Sequence, residues 1–126
     1  MADVLWVGLG GFLGANARYA LGLWVVNRFG AGFPLHTLLI NVTGSLGIGV
    51  LLVLLTERLA ADPAWRLFLV VGFLGGYTTF SSYTFEALAL AEEGRWLEAA
   101  WYVLGSNGLG LAAAGVGVVL GRAIAR

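Results

Sequence analysis

The residues in this sequence that could do chemistry are polar side chains set inside long apolar stretches. The densest group is the segment 75–86, which reads GGYTTFSSYTFE. Thr37 and Asn41 are four residues apart, as are Tyr102 and Ser106, so each pair shares one face of a helix. Polar groups are costly at membrane depth, and by default they mark a pathway or a contact between helices. These positions therefore predict a polar pathway or a helix–helix contact.

The first part of segment 75–86 favours a break in the helix. Gly75 and Gly76 are followed closely by Thr78 and Thr79, which combines flexible and β-branched residues. A broken helix is tolerated inside a membrane where its freed backbone groups are buried in protein or face a cavity. Its carbonyl end can hold a cation and its N–H end favours an anion, so a break predicts an ion site. The alternative is a straight helix whose hydroxyls bond back to their own carbonyls.

Aromatic residues follow the expected break. If Phe80 begins the second half of the helix, Phe80 and Tyr83 lie three residues apart on one face. Aromatic rings have an electropositive edge, which can face an anion. Hydrogen-bond donors for such an anion are available from Asn41, Thr37, Ser81, Tyr102 and Ser106. Together they predict a narrow path suited to a small anion without its water. The alternative is that the aromatic rings only fill the core or face lipid.

Four apolar stretches must position these residues. The chain of 126 residues is 60% hydrophobic and 11% charged, whereas soluble domains are roughly half apolar and about a quarter charged. A bilayer core of about 30 Å needs roughly 20 apolar residues in a helix. The stretches that meet this length lie at about 4–27, 35–56, 65–91 and 97–121. We therefore predict an all-α integral membrane protein, one four-helix domain over 1–126, with the third helix broken at mid-membrane.

Glycines spaced as GxxxG predict where these helices approach closely. Small residues let helix backbones come together in lipid. The three pairs are Gly10 with Gly14, Gly72 with Gly76, and Gly117 with Gly121. We interpret them as packing positions.

The distribution of charge says more about topology than about partners. The arginines are divided unequally, but only weakly so, between the two sides of the predicted membrane domain. One side has Arg58, Arg66, Arg122 and Arg126, and the other has Arg28 and Arg95. So weak a bias permits insertion in both orientations and hence an antiparallel homodimer.

The net charge of zero gives no footprint for nucleic acid. Cysteine is absent, and the single histidine, His36, has no partner in the sequence that suggests catalysis, so we do not expect an enzyme.

Three segments together resemble the Fluc (CrcB) family of fluoride channels. They are GGFLGANARY at 10–19, TLLINVTGS at 37–45 and GFLGGYTTFSSY at 72–83. The segments occur in the order typical of the family, one in each of the first three predicted spans. The match in length and span number extends over the whole chain.

The resemblance implies an antiparallel, dual-topology homodimer with two separate fluoride pores in the cell (inner) membrane. It also implies a structural Na⁺ at the dimer centre, held by the backbone carbonyls of Gly75 and Thr78. Asn41 would be a pore donor, and Phe80 would turn its ring edge to fluoride. The implied activity is passive, electrogenic export that lowers cytoplasmic fluoride.

Further roles follow from the same resemblance. Thr37, Tyr102 and Ser106 would extend the polar track. Glu86 would lie near a pore mouth, and Arg18 would anchor structure near an aqueous vestibule. The sequence departs from the family pattern at Tyr83, which stands where the second pore phenylalanine is usual.

Two other functions fit four short spans. A proton-coupled efflux transporter of the small multidrug-resistance kind needs a carboxylate in its first span, but this span holds Arg18 and has only Asp3 at its edge. A membrane subunit that transports nothing would not need an Asn, a helix break and paired aromatic residues clustered at mid-membrane. We therefore prefer the fluoride channel, with fluoride and lipid as the expected partners.

Overall fold

All the regular secondary structure in the part of the chain that the structure describes is helical. The computed structural model describes residues 1–58 and 62–125. The elements are α1 (Ala2–Phe29), α2 (Leu35–Val53, continued by the π-helical turn Leu54–Arg58), α3 (Pro63–Arg66, the π-helical stretch Leu67–Leu74 and a last turn Gly75–Tyr77), α4 (Phe80–Glu92) and α5 (Trp96–Ile124). The predicted all-α class is confirmed. Residues 59–61 and Arg126, which the predicted domain includes, lie outside the described residues.

Two helical segments pass a test of length and hydropathy for crossing a membrane. They are Leu35–Glu57, with a mean hydropathy of 2.3, and Trp96–Ile124, with a mean hydropathy of 1.7. The predicted spans 4–27 and 65–91 lie within α1 and within α3 with α4. Crossing by all four segments stays a prediction.

Large apolar side chains face outward over much of the surface. Phe12 is 67% exposed, Trp101 66% and Leu111 78%. A surface this rich in exposed apolar groups is typical of a membrane protein or a protein interface.

The helix ends follow the local sequence. Pro63 begins α3, where its missing N–H costs nothing, and the side chain of Asp62 accepts from the Ala64 N–H at 2.9 Å. Gly30 and Gly94 follow α1 and α4 with φ of 87° and 77°. Glycine is favoured there because it has no Cβ to clash in the left-handed region.

Glycines lie where the helices cross. A Cβ on Gly72 of α3 would stand 2.7 Å from the carbonyl oxygen of Val7 in α1, and one on Gly76 would stand 2.6 Å from that of Gly11. Such distances leave no room for a side chain. The α1–α3 contact is therefore built from Gly10, Gly14, Gly72 and Gly76, and the α2–α5 contact from Gly49, Gly117 and Gly121. This confirms the packing prediction for all three GxxxG pairs.

Arginine side chains link neighbouring segments at each end of the bundle. At one end, Arg95 donates to the Gly32 carbonyl at 2.6 Å and to Glu93 at 3.2 Å, and it also pairs with Glu98. At the other end, Arg122 lies 3.8 Å from Glu57. The connection between α1 and α2 therefore shares an end with the connection between α4 and α5.

Candidate ion pathway

Two extended residues separate α3 from α4. Thr78 has φ −77° and ψ 157°, and Thr79 has φ −148° and ψ 116°. The Thr78 N–H still donates to the Leu74 carbonyl at 3.0 Å, so regular winding ends there. α4 then begins at Phe80, with the Thr79 hydroxyl accepting from the Ser82 N–H at 3.3 Å as its cap. The Thr78 carbonyl and the Thr79 N–H thus need partners from outside the helix.

Asn41 of α2 supplies those partners for Thr79. Its Nδ2 donates to the Thr79 carbonyl at 2.9 Å, and its Oδ1 accepts from the Thr79 N–H at 2.8 Å. Both polar groups of one extended residue are therefore satisfied by one amide. Asn suits this position because its side chain carries a donor and an acceptor in the same geometry as a peptide group. One Nδ2 hydrogen is left over for another acceptor.

The same bonds leave two carbonyls without their usual helical donors. In a continuous helix the Thr79 N–H would bond to Gly75 and the Ser82 N–H would bond to Thr78. Here the Thr79 N–H donates to Asn41, and the Ser82 N–H donates to the Thr79 hydroxyl. The Gly75 and Thr78 carbonyls are thus available to a ligand outside the helix.

These two carbonyls fit a monovalent cation chemically. Unwound backbone carbonyls are the groups that coordinate Na⁺ in membrane proteins. Gly75 and Thr78 line one cavity, and a Cβ on Gly75 would meet nothing within 4 Å. Arg18 of α1 approaches the Thr78 carbonyl at 3.5 Å, a long hydrogen bond that leaves a lone pair on the oxygen. One chain offers two such oxygens, so a complete coordination shell needs oxygens from elsewhere.

Aromatic rings and donors lie beside the interruption in the same cavity. The rings of Phe80 and Tyr83 are 5.6 Å apart, and those of Tyr83 and Tyr102 are 5.4 Å apart. Phe80 is 76% exposed in the single chain, whereas Tyr83 is 9% exposed. The cavity measures about 360 Å³, and its lining includes Asn41, Gly75, Thr78, Phe80, Tyr83 and Ser106. Predicted pore and cation residues therefore share one cavity.

Glu86 gathers a second polar cluster between α2, α4 and α5. Its Oε1 accepts from the Thr37 hydroxyl at 2.8 Å, and its Oε2 accepts from the Tyr102 hydroxyl at 2.7 Å. Thr37 and Tyr102 are 2% and 1% exposed, so a carboxylate provides the acceptors that two buried hydroxyls require. His36 Nε2 lies 3.5 Å from Glu86 Oε1.

A separate cavity of about 400 Å³ adjoins this cluster, between α1, α2 and α4. Its lining includes Arg18, His36, Thr37 and Glu86. Arg18 and Glu86 thus open onto one space, although the predicted vestibule and pore mouth remain predictions.

Two predicted donors are engaged less directly. Ser81 is exposed, and its hydroxyl lies 3.5 Å from that of Thr79. The hydroxyl of Ser106 is buried and has no hydrogen-bond partner within the described residues. Both keep donor capacity, but Ser81 does not line the cavity that holds Phe80.

Sequence reasoning missed two members of these clusters. His36 was predicted only to lack a catalytic partner, yet its Nε2 lies 3.5 Å from Glu86, which is 50 residues away along the chain. Asn107 donates to the Tyr83 hydroxyl at 2.9 Å and had no predicted role. The available signal was the position of each residue beside a predicted pore residue, next to Thr37 or Ser106.

Comparison with known proteins identifies the family. The family model described as CrcB-like protein, Camphor Resistance (CrcB), matches residues 5–118. A protein of Roseiflexus sp. (strain RS-1) named fluoride-specific ion channel FluC is 48% identical over 124 residues, covering 98% of this chain and 97% of the relative. A relative of the same name from Solibacter usitatus is 51% identical over 118 residues, covering 94% and 97%. The resemblance seen in the three sequence segments is confirmed: the chain belongs to the CrcB family.

Proposed function

We propose that this membrane protein is a fluoride-selective channel that lowers cytoplasmic fluoride by passive, electrogenic export. One observation carries the proposal. Donors and aromatic rings, represented by Asn41, Phe80 and Tyr83, line one cavity at a helix interruption. They do so in a chain about half identical, over nearly its full length, to relatives named fluoride-specific ion channels.

The chemistry of the cavity suits a small anion that has lost its water. Such an ion must exchange its hydration shell for hydrogen-bond donors and positive dipoles. The remaining Nδ2 hydrogen of Asn41, the Ser106 hydroxyl and the N-terminal end of α4 offer those groups. The edge of the Phe80 ring offers a weaker positive region without a fixed charge. Weak, successive interactions let an ion enter and also leave.

Thr37, Tyr102 and Ser81 extend this path in our proposal, and Glu86 lies near one mouth. Thr37 and Tyr102 donate to Glu86, so the three side chains form one hydrogen-bonded group. Arg18 has a structural role at the vestibule, for which its bond to the Thr78 carbonyl is the support.

The functional unit in this proposal is an antiparallel homodimer with each chain crossing the bilayer four times and the interruption at mid-membrane. The exposure of Phe80 and Gly75 supports a second copy against this face. A Na⁺ ion at the dimer centre would take the Gly75 and Thr78 carbonyls of both copies. The ion would supply positive charge that holds the two interrupted helices together, and the support is the loss of helical donors at these carbonyls.

Passive flow explains the benefit to the cell. Hydrogen fluoride crosses membranes as a neutral molecule and dissociates in a more alkaline cytoplasm, which traps fluoride there. A pore releases the trapped ion down its electrochemical gradient. A proton-coupled transporter of the small multidrug-resistance kind is not favoured, since the acid in α1 is Asp3 in its first turn.

The test is anion efflux from liposomes that contain the purified protein, with fluoride and chloride measured in parallel. Valinomycin is added to shunt the charge. We expect rapid fluoride release that depends on the shunt, with negligible chloride release. Fluoride release without the shunt would contradict electrogenic flow, and no release from folded protein would contradict the channel.

A matched pair of variants then tests the cavity. Phe80→Ile removes a ring from the cavity, whereas Phe85→Ile removes a similarly exposed ring, 72% against 76%, that does not line it. We expect loss of fluoride release for Phe80→Ile alone. Equal loss for both variants would mean that the effect comes from packing or folding.

Topology and assembly have their own measurements. Because the chain has no cysteine, single cysteines at Ala31 or Ala125 can be labelled from either side of a membrane. Dual topology predicts that half of each population reacts from either side. Mass measurement in detergent should give twice the 13.2 kDa chain, and binding of radioactive Na⁺ should saturate at one ion per dimer.

A further inference from the structure

Tyr83 has a hydrogen-bond partner that fixes what its hydroxyl can do. Asn107 of α5 donates from Nδ2 to the Tyr83 hydroxyl oxygen at 2.9 Å and to the Val103 carbonyl at 2.8 Å. A carbonyl oxygen can only accept, so the atom facing Val103 must be the amide nitrogen. This fixes the orientation of the amide, and the atom facing Tyr83 is therefore also the nitrogen.

The consequence is that the Tyr83 hydroxyl is an acceptor in this bond. An amide nitrogen has two hydrogens and no lone pair to offer, and Asn107 uses both hydrogens as donors. The phenolic proton of Tyr83 is not used there. Accepting one hydrogen bond polarises a hydroxyl and makes it a better donor in the next. Asn107 therefore leaves Tyr83 with an unused and strengthened O–H donor.

The surroundings of that hydroxyl favour an anion as its acceptor. Tyr83 and Asn107 line the cavity that also holds Asn41, Phe80 and Ser106. The buried Ser106 hydroxyl likewise has no partner among the described residues. Among the described residues, two hydroxyl protons without an acceptor thus border a space that also holds the remaining amide hydrogen of Asn41. Unsatisfied donors at membrane depth are costly, and an anion that accepts from them removes that cost.

We propose that Tyr83 donates its phenolic proton in a hydrogen bond to the dehydrated fluoride ion, and that Asn107 is a positioning residue that makes it a donor. This inference rests on the proposed fluoride channel and assigns a hydrogen-bond donor to the position where the family pattern usually has a phenylalanine. The ring of Tyr83 stays in contact with those of Phe80 and Tyr102, at 5.6 and 5.4 Å between centroids. The site thus combines a ring edge with a hydroxyl.

The test compares fluoride efflux of the full-length protein with that of Tyr83→Phe, which removes the hydroxyl and keeps the ring. We expect efflux to fall about tenfold, the loss of one hydrogen bond to a charged acceptor. The melting temperature and dimer mass should be unchanged. Tyr77→Phe is the matched control, because its hydroxyl pairs with Thr43 at 2.8 Å and it does not line the cavity. It should leave fluoride efflux unchanged.

Asn107 is tested by a double-mutant cycle. Asn107→Ala should lower efflux about threefold in the wild-type background and should have no effect in the Tyr83→Phe background. An equal loss in both backgrounds would show that Asn107 acts without Tyr83 and would overturn its positioning role. Asn107→Leu, which keeps the side-chain volume but has no donor, repeats the test if the alanine variant is poorly folded.

The remaining outcomes separate this inference from the proposed function. Equal efflux for wild type and Tyr83→Phe would mean that the hydroxyl binds water or nothing, which overturns the donor role while the channel stands. No fluoride efflux from folded wild-type protein would remove both. Loss of efflux together with a lowered melting temperature in Tyr83→Phe would assign the hydroxyl to folding instead.

Discussion

The two kinds of contact in this molecule, glycine-packed and polar, hold helices together by different physics. In the α1–α3 contact, backbones meet directly, as where a Cβ on Gly72 would stand 2.9 Å from the Cα of Gly10. At the interruption, α2 reaches the extended backbone of Thr79 through the side chain of Asn41. The first contact depends on the absence of side chains, and the second on one particular side chain.

This difference separates scaffold from site. Glycine contacts bring helix backbones into direct van der Waals packing, so their role is to position the helices. The polar contact satisfies Thr79 and, by diverting its N–H, releases the Gly75 carbonyl. Backbone groups become available to an ion where a side chain takes the place of a helical hydrogen-bond partner. The variants below test whether the two contacts respond as differently as their chemistry requires.

The largest effect is expected at the α1–α3 contact. Gly10→Val would place a Cβ 2.8 Å from the Phe73 nitrogen, against backbone that cannot move aside. The free energy of unfolding should fall by more than about 3 kcal/mol, with little monodisperse protein recovered. Gly8→Val on the same helix, where a Cβ meets nothing within 4 Å, should change it by less than about 0.5 kcal/mol. Thermal unfolding in detergent measures both, and similar melting temperatures would show that close approach does not hold α1 to α3.

The second effect concerns the polar contact. Asn41→Leu leaves the N–H and the carbonyl of Thr79 without their partners, and we expect a loss of about 2–4 kcal/mol of unfolding free energy. Asn16→Leu is the control, because the Asn16 amide donates to the Phe12 carbonyl of its own helix at 2.7 Å and to no other helix in the described part of the chain. The denaturant midpoint of each variant gives the comparison. A stable Asn41→Leu protein would mean that the interruption does not depend on α2.

The third effect belongs to the cluster around Glu86. Glu86→Ala removes the acceptor for the buried hydroxyls of Thr37 and Tyr102, which should cost about 1–3 kcal/mol. Glu86→Gln keeps one acceptor oxygen, and its amide can donate to a rotated hydroxyl, so its cost should be at most about 1 kcal/mol. Melting temperatures of the two variants decide the point. If the melting temperatures of both variants fall equally, the negative charge of Glu86 and not its hydrogen bonding stabilises this cluster.

The glycine contacts were predictable from sequence and the polar partnerships were not. GxxxG spacing places two small residues on one helical face, which is a property of that helix alone. The pairing of Gly and Thr residues likewise disfavoured regular helix at Thr78 and Thr79, and both are extended. The bond between Asn41 and Thr79 joins residues 38 apart and depends on the register between α2 and α3. No periodicity within one helix encodes that register.

The same reason explains the surprises at the site. Thr37 and Tyr102 were predicted as members of a polar track and Glu86 as a residue near a pore mouth, but the convergence of both hydroxyls on the Glu86 carboxylate needed three helices in register. His36 and Asn107 joined these clusters through contacts of 50 and 24 residues in sequence separation. Residue type indicated which positions carry polar groups, and tertiary packing determined which of those groups have hydrogen-bond partners.

The smallest effect is expected where polar contacts meet water. Arg95, in the connection between α4 and α5, donates to the Gly32 carbonyl in the connection between α1 and α2. Its hydrogen bonds to Glu98 and then Glu93 raise its pKa above the usual range, so it stays charged at every accessible pH. Exposed ion pairs contribute little because water and salt screen them. Arg95→Ala should therefore lower the melting temperature less than Gly10→Val, Asn41→Leu or Glu86→Ala does, and added salt should shrink the difference between Arg95→Ala and wild type. Arg28→Ala is the control. Arg28 lies at the same end of the bundle, and its guanidinium carbon is 5.6 Å from the centre of the Phe29 ring. A large fall in the melting temperature of Arg95→Ala that does not depend on salt would contradict this expectation. It would mean that the ion pair is desolvated, because only a desolvated pair resists screening.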